Sequence, residues 1–365
     1  MIVRVSECGS LSWRSGTLVW DDPLHHRQLA LTDLSLEIVR WFADWRALDG
    51  VVELSERHLA VARRLLEEGV LVAQGSEEHG REEAVVSAWA EWGAATRQYH
   101  YASRTTPDTQ FATTVDGLLD QSARALEVEP PAIASERGGL RLGLPGVDAD
   151  DAAWRHPGLV AALRARRSVR RFTGEPLALR DLAAVMHLAA GLFGVFDELG
   201  TGPEAYMTSP AAGALHPTEL YVRARRVSGL EPATYHYAAT TGELELLDDV
   251  GPDIDSPHAY GGQDWLADSP ATLIHTAVPA RSQWRYAMPR GYRDVVLGLG
   301  HVSQTILLLA TARGLGATFA TAVRDEVLEE HLGCDGISEI VLGVHALGHP
   351  APEERPAPVT PEWLS

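Results

Sequence analysis

Residues 295–316 read V-V-L-G-L-G-H-V-S-Q-T-I-L-L-L-A-T-A-R-G-L-G, and the organisation of the chain follows from them. From Val295 to Ala312 no residue carries a formal charge, so the run is long enough to cross a bilayer. His301, Ser303, Gln304 and two glycines lie inside it, and polar groups are costly in hydrocarbon, so the stretch reads as the buried helix of a folded core. The segment Gly314-Leu315-Gly316-Ala317-Thr318 follows and places bare backbone at an element boundary. It is not a dinucleotide fingerprint. Phe319 stands where the third glycine of G-x-G-x-x-G belongs, and a helix rather than a strand precedes it.

Around this helix the texture is mixed. From Trp154 onward helical periods such as Leu179 to Leu192 alternate with short apolar strands, Leu220-Tyr221-Val222 and Ile340 to Val344, which predicts a domain of mixed α and β over residues 154–365. Residues 1–76 read as a separate module. Ile2 to Leu31 alternates apolar and polar residues around Asp21-Asp22-Pro23, a hairpin signal. Ile38, Trp41, Phe42 and Trp45 make one helical stripe, and Leu59, Ala62, Leu65 and Leu66 make another. Gly69 closes the second helix before Val70-Leu71-Val72 extends. This order is winged-helix-like, serving either binding or packing. Residues 77–153 carry a helical segment with Trp89, Trp92, Tyr99, His100 and Tyr101, then a linker rich in Pro, Gly and Asp from Thr105 to Asp151.

A length of 365 residues suits two domains. Thirty-one basic residues against fifty acidic ones give −19, which disfavours a hold on nucleic-acid phosphates. Every basic residue is arginine. With no lysine anywhere, P-loop and Schiff-base mechanisms are excluded. Cys8 and Cys334 form no disulfide framework or zinc motif, so no metal site is predicted. The N-terminus lacks a secretory pattern, so the expected location is the cytoplasm, with no membrane partner. The chain contains no G-x-S-x-G elbow, H-E-x-x-H or Walker A motif.

Three segments carry the candidate chemistry. Arg164 to Phe172 holds five arginines within eight residues. Arg166, Arg167 and Arg170 can fork a phosphate and Ser168 adds a hydroxyl, or the run is a solvated basic turn. Thr208 to Pro217 is a run of small residues, Ser209, Pro210, Ala211, Ala212 and Gly213 among them. It lets backbone approach a flat ligand, though helix packing demands the same residues. Gly314 and Gly316 belong to the third segment.

In order, R-R-S-V-R-R-F, S-P-A-A-G-A-L-H-P-T-E-L-Y-V and the stretch R-Y-A-M-P-R-G-Y-R-D leading into the helix resemble the SagB-type dehydrogenases, FMN enzymes of the nitroreductase-like superfamily. The resemblance covers Trp154 to about His349 and reaches back to Trp89–Arg104. It implies an α+β fold whose homodimer holds FMN at the subunit interface, with Val295–Ala312 as the dimer helix. Arg166, Ser168 and Arg170 would hold the phosphate and ribityl chain. Ser209 to Ala214 would lie along the ring, with the backbone near Thr321 at its reactive edge. It further implies a ribosomally made peptide as substrate, thiazoline or oxazoline oxidation to the azole, and partners such as a cyclase, with the N-terminal module touching the peptide.

The family commonly places a Lys-Tyr pair where this chain has Arg285-Tyr286. Arginine stays protonated and is a poor base, so Tyr286 is the candidate, with Arg285 orienting substrate. His216, His236, His275 and His301 are alternative bases, His216 the best placed beside the small-residue loop and His301 expected to be buried. Trp265 and the Gly261-Gly262 turn are expected over the pocket. Three other functions stay open: oxidation of another peptide residue, NAD(P)H-dependent nitroreductase-like reduction, and a non-catalytic scaffold.

Overall fold

The computed structural model describes residues 1–90, 93–104, 127–148, 150–155, 158–197, 200–247 and 251–352. The chain divides into two compact units, Met1–Thr109 and Gln110–Ser365. Trp92, most of the first half of the 105–151 segment and the last thirteen residues lie outside the described residues.

The first unit contains β1 (Ile2–Val5), β2 (Ser10–Arg14), β3 (Thr17–Asp22), β4 (Arg27–Leu31), α1 (Asp33–Trp41), β5 (Arg46–Ala47), α2 (Glu56–Glu67), β6 (Leu71–Ala73), α3 (Glu77–Ala88) and α4 (Gly93–Ala102). The opening stretch thus makes four strands in two sheets, β5-β1-β6 and β2-β3-β4, instead of one hairpin. The first turn is tight because Ser15 and Gly16 both take positive φ. Thr32, Ser55 and Ser76 accept from the backbone N–H three residues on and start α1, α2 and α3. Val3, Ile38, Phe42, Val51, Leu65 and Leu71 fill the core. Trp45 lies past the end of α1, so the first helical stripe is shorter than its sequence spacing suggested.

The second unit runs β7 (Arg141–Gly143), α5 (Leu159–Ala165), β8 (Leu177–Ala178), α6 (Leu179–Ala190), β9 (Gly194–Phe196), β10 (Glu204–Tyr206), β11 (Thr218–Ala224), β12 (Val227–Ser228), β13 (Ala233–Ala238), β14 (Glu243–Leu246), α7 (Asp264–Ala267), β15 (Ala271–Ala277), α8 (Pro279–Arg285), α9 (Gly291–Ala312), β16 (Gly316–Ala320), α10 (Asp325–Leu332) and β17 (Ile340–Gly348). Seven strands form one antiparallel sheet in the order β16-β17-β15-β11-β13-β14-β7. Alternation along the strands sends Leu220, Val222 and Leu273 to the face covered by α6 and α9. Tyr221 and Ile274 go to the face covered by α10 and Tyr260.

The predicted core helix is therefore α9, although it starts at Gly291, one turn before Val295. Val302, Ile306 and Ala310 face the sheet and α6. The opposite side, with Val296 and Leu297, is exposed on the single chain. Arg313 locks its C-terminal end, ion-paired to buried Asp181 of α6 and, at 3.0 Å, to Asp151.

The stretch read as linker is partly built into this unit. Strand β7 closes the sheet beside β14. Glu219 and Glu245, both buried, accept from the Ser135 and Arg137 N–H groups at 2.8 Å each. Backbone donors pinned by buried carboxylates are not visible in composition, which is why this strap reads as solvated chain.

Candidate functional site

Helix α9 and the strand that follows it, β16, between them meet the candidate segments. His301 Nδ1 lies 2.9 Å from the Pro210 carbonyl, and Thr305 Oγ1 lies 2.8 Å from Ser209 Oγ, tying the small-residue loop to the middle of the helix. At its C-terminal end the chain turns through Gly314, at φ 74°, into β16. There Ser168 bridges Ala317, and the Val169 N–H donates to the Ala317 carbonyl at 3.0 Å. Gly316 is needed at this crossing because a Cβ would come within 2.7 Å of Val169 Cγ1. His301 is exposed and hydrogen-bonded, not buried as expected, since it sits on the helix face turned away from the sheet.

The arginine run lies along this edge. Arg166 is half-buried and Arg170 is exposed, 5.7 Å from the Trp265 ring. Arg167 Nη1 folds back onto the Arg164 and Arg166 carbonyls at 2.9 and 2.7 Å. None of the three forms an ion pair among the described residues, although the chain carries nineteen more acidic than basic groups. Guanidinium groups with no carboxylate partner among the described residues, beside a bare glycine segment, suit a phosphorylated ligand. Beyond β16, exposed Thr321 leads to Ala322, whose carbonyl accepts from Gln263 Nε2 at 2.7 Å. The close approach of Gly261 to that same carbonyl leaves 2.8 Å for any Cβ, so the Gly261-Gly262 turn and Trp265 stand beside the arginine run and Thr321.

The small-residue loop is wound tightly. Gly213, Ala214 and His216 all take positive φ, at 58°, 52° and 38°. A Cβ on Gly213 would stand 2.5 Å from Tyr286 Oη and 3.2 Å from Arg285 Nη1, so glycine is what lets Tyr286 reach this backbone. Residues Ala211 and Ala212 are half-buried, leaving a low-relief surface suited to a planar ring.

Arg285 differs from its sequence role. Its guanidinium is buried, with Nη1 3.1 Å from Glu204 Oε1 and 3.2 Å from the Gly213 carbonyl, and Nη2 2.9 Å from the Thr201 carbonyl. It is committed to the protein and not held out toward a substrate. His216 is likewise buried, and burial pushes its ring down to about 4. The Ala205 carbonyl, which accepts from the ring, opposes that shift, and nearby Arg281 adds to it. A neutral ring engaged by a backbone carbonyl is a structural histidine rather than a poised base. His236 is sealed between Glu245 and Glu219, and His275 against His345. Among the sequence candidates for the base, the structure brings two against the loop, Tyr286 at Gly213 and His301 at the Pro210 carbonyl.

Arg281 is the residue that sequence reasoning undervalued. It is buried and donates to the Ala132 carbonyl (2.7 Å), the His216 carbonyl (3.2 Å), Ser135 Oγ (3.1 Å) and Glu219. The signal was present as Arg281 and Arg285, four residues apart and hence on one helical face.

The Methanocaldococcus jannaschii protein MJ1384, named as a nitroreductase, is 37% identical over 169 residues, covering 46% of this chain and 80% of that one. The trifolitoxin-processing protein TfxB of Rhizobium leguminosarum is 27% identical over 175 residues, covering 46% of each. A chain of the Escherichia coli microcin synthetase McbBCD complex, solved with truncated pro-MccB17 bound, shares 15% identity at a TM-score of 0.45 over 73% of this chain and 98% of that one. Residues 163–349, just over half the chain, match the nitroreductase family. They span the arginine run, the small-residue loop, α8, α9 and β16, so the α+β domain that assembles these segments belongs to the nitroreductase family of oxidoreductases.

Proposed function

We propose that this nitroreductase-family protein is an FMN-dependent oxidase or dehydrogenase acting on a ribosomally made peptide, with azoline-to-azole oxidation the first specific reaction. The observation that carries the reading is that the low-relief loop is tied to the middle of α9, while the arginine run, which has no carboxylate partner among the described residues, pairs with the β16 backbone that follows the helix. Arg166, Ser168 and Arg170 hold the phosphate and ribityl chain, and Ser209 to Gly213 lie along the ring. Bound FMN supplies the hydride acceptor. Tyr286 would be the base that takes the proton from the azoline's α carbon while a hydride leaves its β carbon for the flavin, the Tyr286 Oη being placed by the missing Cβ of Gly213. Likeness to a trifolitoxin-processing protein supports a peptide substrate and biosynthetic partners such as a cyclase. The exposed side of α9 supports a homodimer. The first unit is proposed to contact the peptide.

The stronger likeness to a nitroreductase favours a second reading, reduction of a small acceptor at the expense of NAD(P)H. One experiment separates them. Purified protein reconstituted with FMN is mixed anaerobically with an azoline peptide or with NADPH, and the flavin absorbance is followed. Bleaching by the peptide, slowed at least tenfold in Tyr286→Phe, is the expected result. Bleaching by NADPH alone selects the second reading, and normal turnover by Tyr286→Phe removes Tyr286 as the base.

A further inference from the structure

Helix α8 carries two buried arginines one turn apart, and both end on carbonyls of the same loop. Arg281 donates to the His216 carbonyl at 3.2 Å, and Arg285 to those of Gly213 and Thr201 at 3.2 and 2.9 Å. Each is balanced by one carboxylate, Glu219 for Arg281 and Glu204 for Arg285. The stretch these two contacts bracket, Gly213 to His216, has positive φ at Gly213, Ala214 and His216, two of them residues that carry a Cβ.

Left-handed backbone is unfavourable for such residues, by roughly 1–2 kcal/mol each, and it persists where surrounding groups impose it. A carbonyl turned out by that conformation has no helix or sheet partner of its own, so a side-chain donor must meet it. The fork of a guanidinium is suited to this because it donates from several points in one plane, so Arg285 reaches Glu204, Gly213 and Thr201 at once. A lysine ammonium concentrates its donors on one atom and cannot span the same three acceptors as widely.

We infer that Arg281 and Arg285 are positioning residues, a two-point clamp that sets the Gly213–His216 backbone and, through it, the surface presented to the flavin ring. On this account Arg285 is neither a base nor a substrate hook. The second half of the inference rests on the FMN reading above, whereas the first half stands without it.

The test measures amide hydrogen exchange across residues 201–216 in the flavin-free protein, and then FMN affinity and the visible spectrum of bound flavin. Arg285→Met is expected to speed exchange in that segment by about tenfold or more, leaving exchange in β15 and β17 unchanged, because only the local opening becomes easier. FMN affinity falls by a similar factor and the bound spectrum moves toward that of free flavin. Glu204→Gln keeps a neutral acceptor but removes the charge that balances Arg285, so it is expected to speed exchange in the segment, though less than Arg285→Met does. Arg285→Lys recovers part of the protection, and it remains the readout if the methionine variant does not fold. Unchanged exchange in Arg285→Met, or full protection in Arg285→Lys, overturns the clamp. If the parent protein binds no FMN, the cofactor reading fails while the exchange result still decides the clamp.

Discussion

His275 and His345 sit completely buried beneath α9, joined at 2.8 Å, with His345 Nε2 3.0 Å from Ser303 Oγ of the helix. Burial pushes His275 down to about 3, and burial together with the neighbouring His275 holds His345 well below the usual histidine range. Both rings are therefore neutral in the fold and take up a proton near pH 6.5 only when the chain unfolds. Because the unfolded state then binds more protons, stability is complete above about pH 6.5 and is lost as pH falls toward 3, with a slope of up to about 1.4 kcal/mol per pH unit for each ring. The urea midpoint is expected to fall steadily between pH 6.5 and 5, above the range in which carboxylates titrate. A flat midpoint over that interval contradicts the assignment. These residues were legible in the sequence only as histidines. Their neutrality comes from burial by strands β15 and β17, which are 63 residues apart along the chain.

At the scale of elements, the strap around Ser135–Arg137 shows how a segment without secondary-structure signal becomes part of the frame. Glu219 holds Ser135 and Arg281 with one oxygen and His236 with the other, at 3.1 Å. Burial alone raises Glu219, yet the His236 hydrogen bond and the Arg281 guanidinium keep its carboxyl below the ordinary carboxylate range. Replacing one partner of such a buried set leaves the others uncompensated. Glu219→Leu is expected to cost roughly 3–5 kcal/mol in urea denaturation and to expose residues 130–137 to proteolysis. A loss below about 1 kcal/mol means the strap is held by other means. The helices and strands of this unit were readable from their periods, since α6, β11 and β17 fall on the predicted stretches. The strap was not, because its partners are side chains from strands far along the chain.

For the whole molecule, α9 is among the described residues the one helix long and apolar enough to cross a membrane, yet one side of it is core. Its other side leaves Leu297 60% exposed, with Val296 beside it, and Leu163 of the adjoining α5 is also exposed. An apolar helix face of this kind is suited to a second copy of the chain. On the homodimer and FMN proposed above, Leu297→Arg is expected to give a monomer in sedimentation where the parent gives a dimer, and to weaken FMN binding with it. Unchanged mass and flavin content argue against this face as the interface.

The sequence by itself determined the mixture of helix and strand, the central helix and the three candidate segments, because hydrophobic period, glycine placement and arginine density are properties of short stretches. It also determined which mechanisms are closed, through the absence of lysine. Only the tertiary structure decided what the individual polar groups do. Arg285 left the candidate chemistry for the frame, His216 became a neutral structural ring, and Arg281 emerged as a link between strap and loop. The physical reason is that a charged or polar side chain takes its role from its desolvation and its partners. Those partners, Glu204, Glu219 and the left-handed carbonyls at 213 and 216, are brought to it by the fold and not by neighbouring sequence.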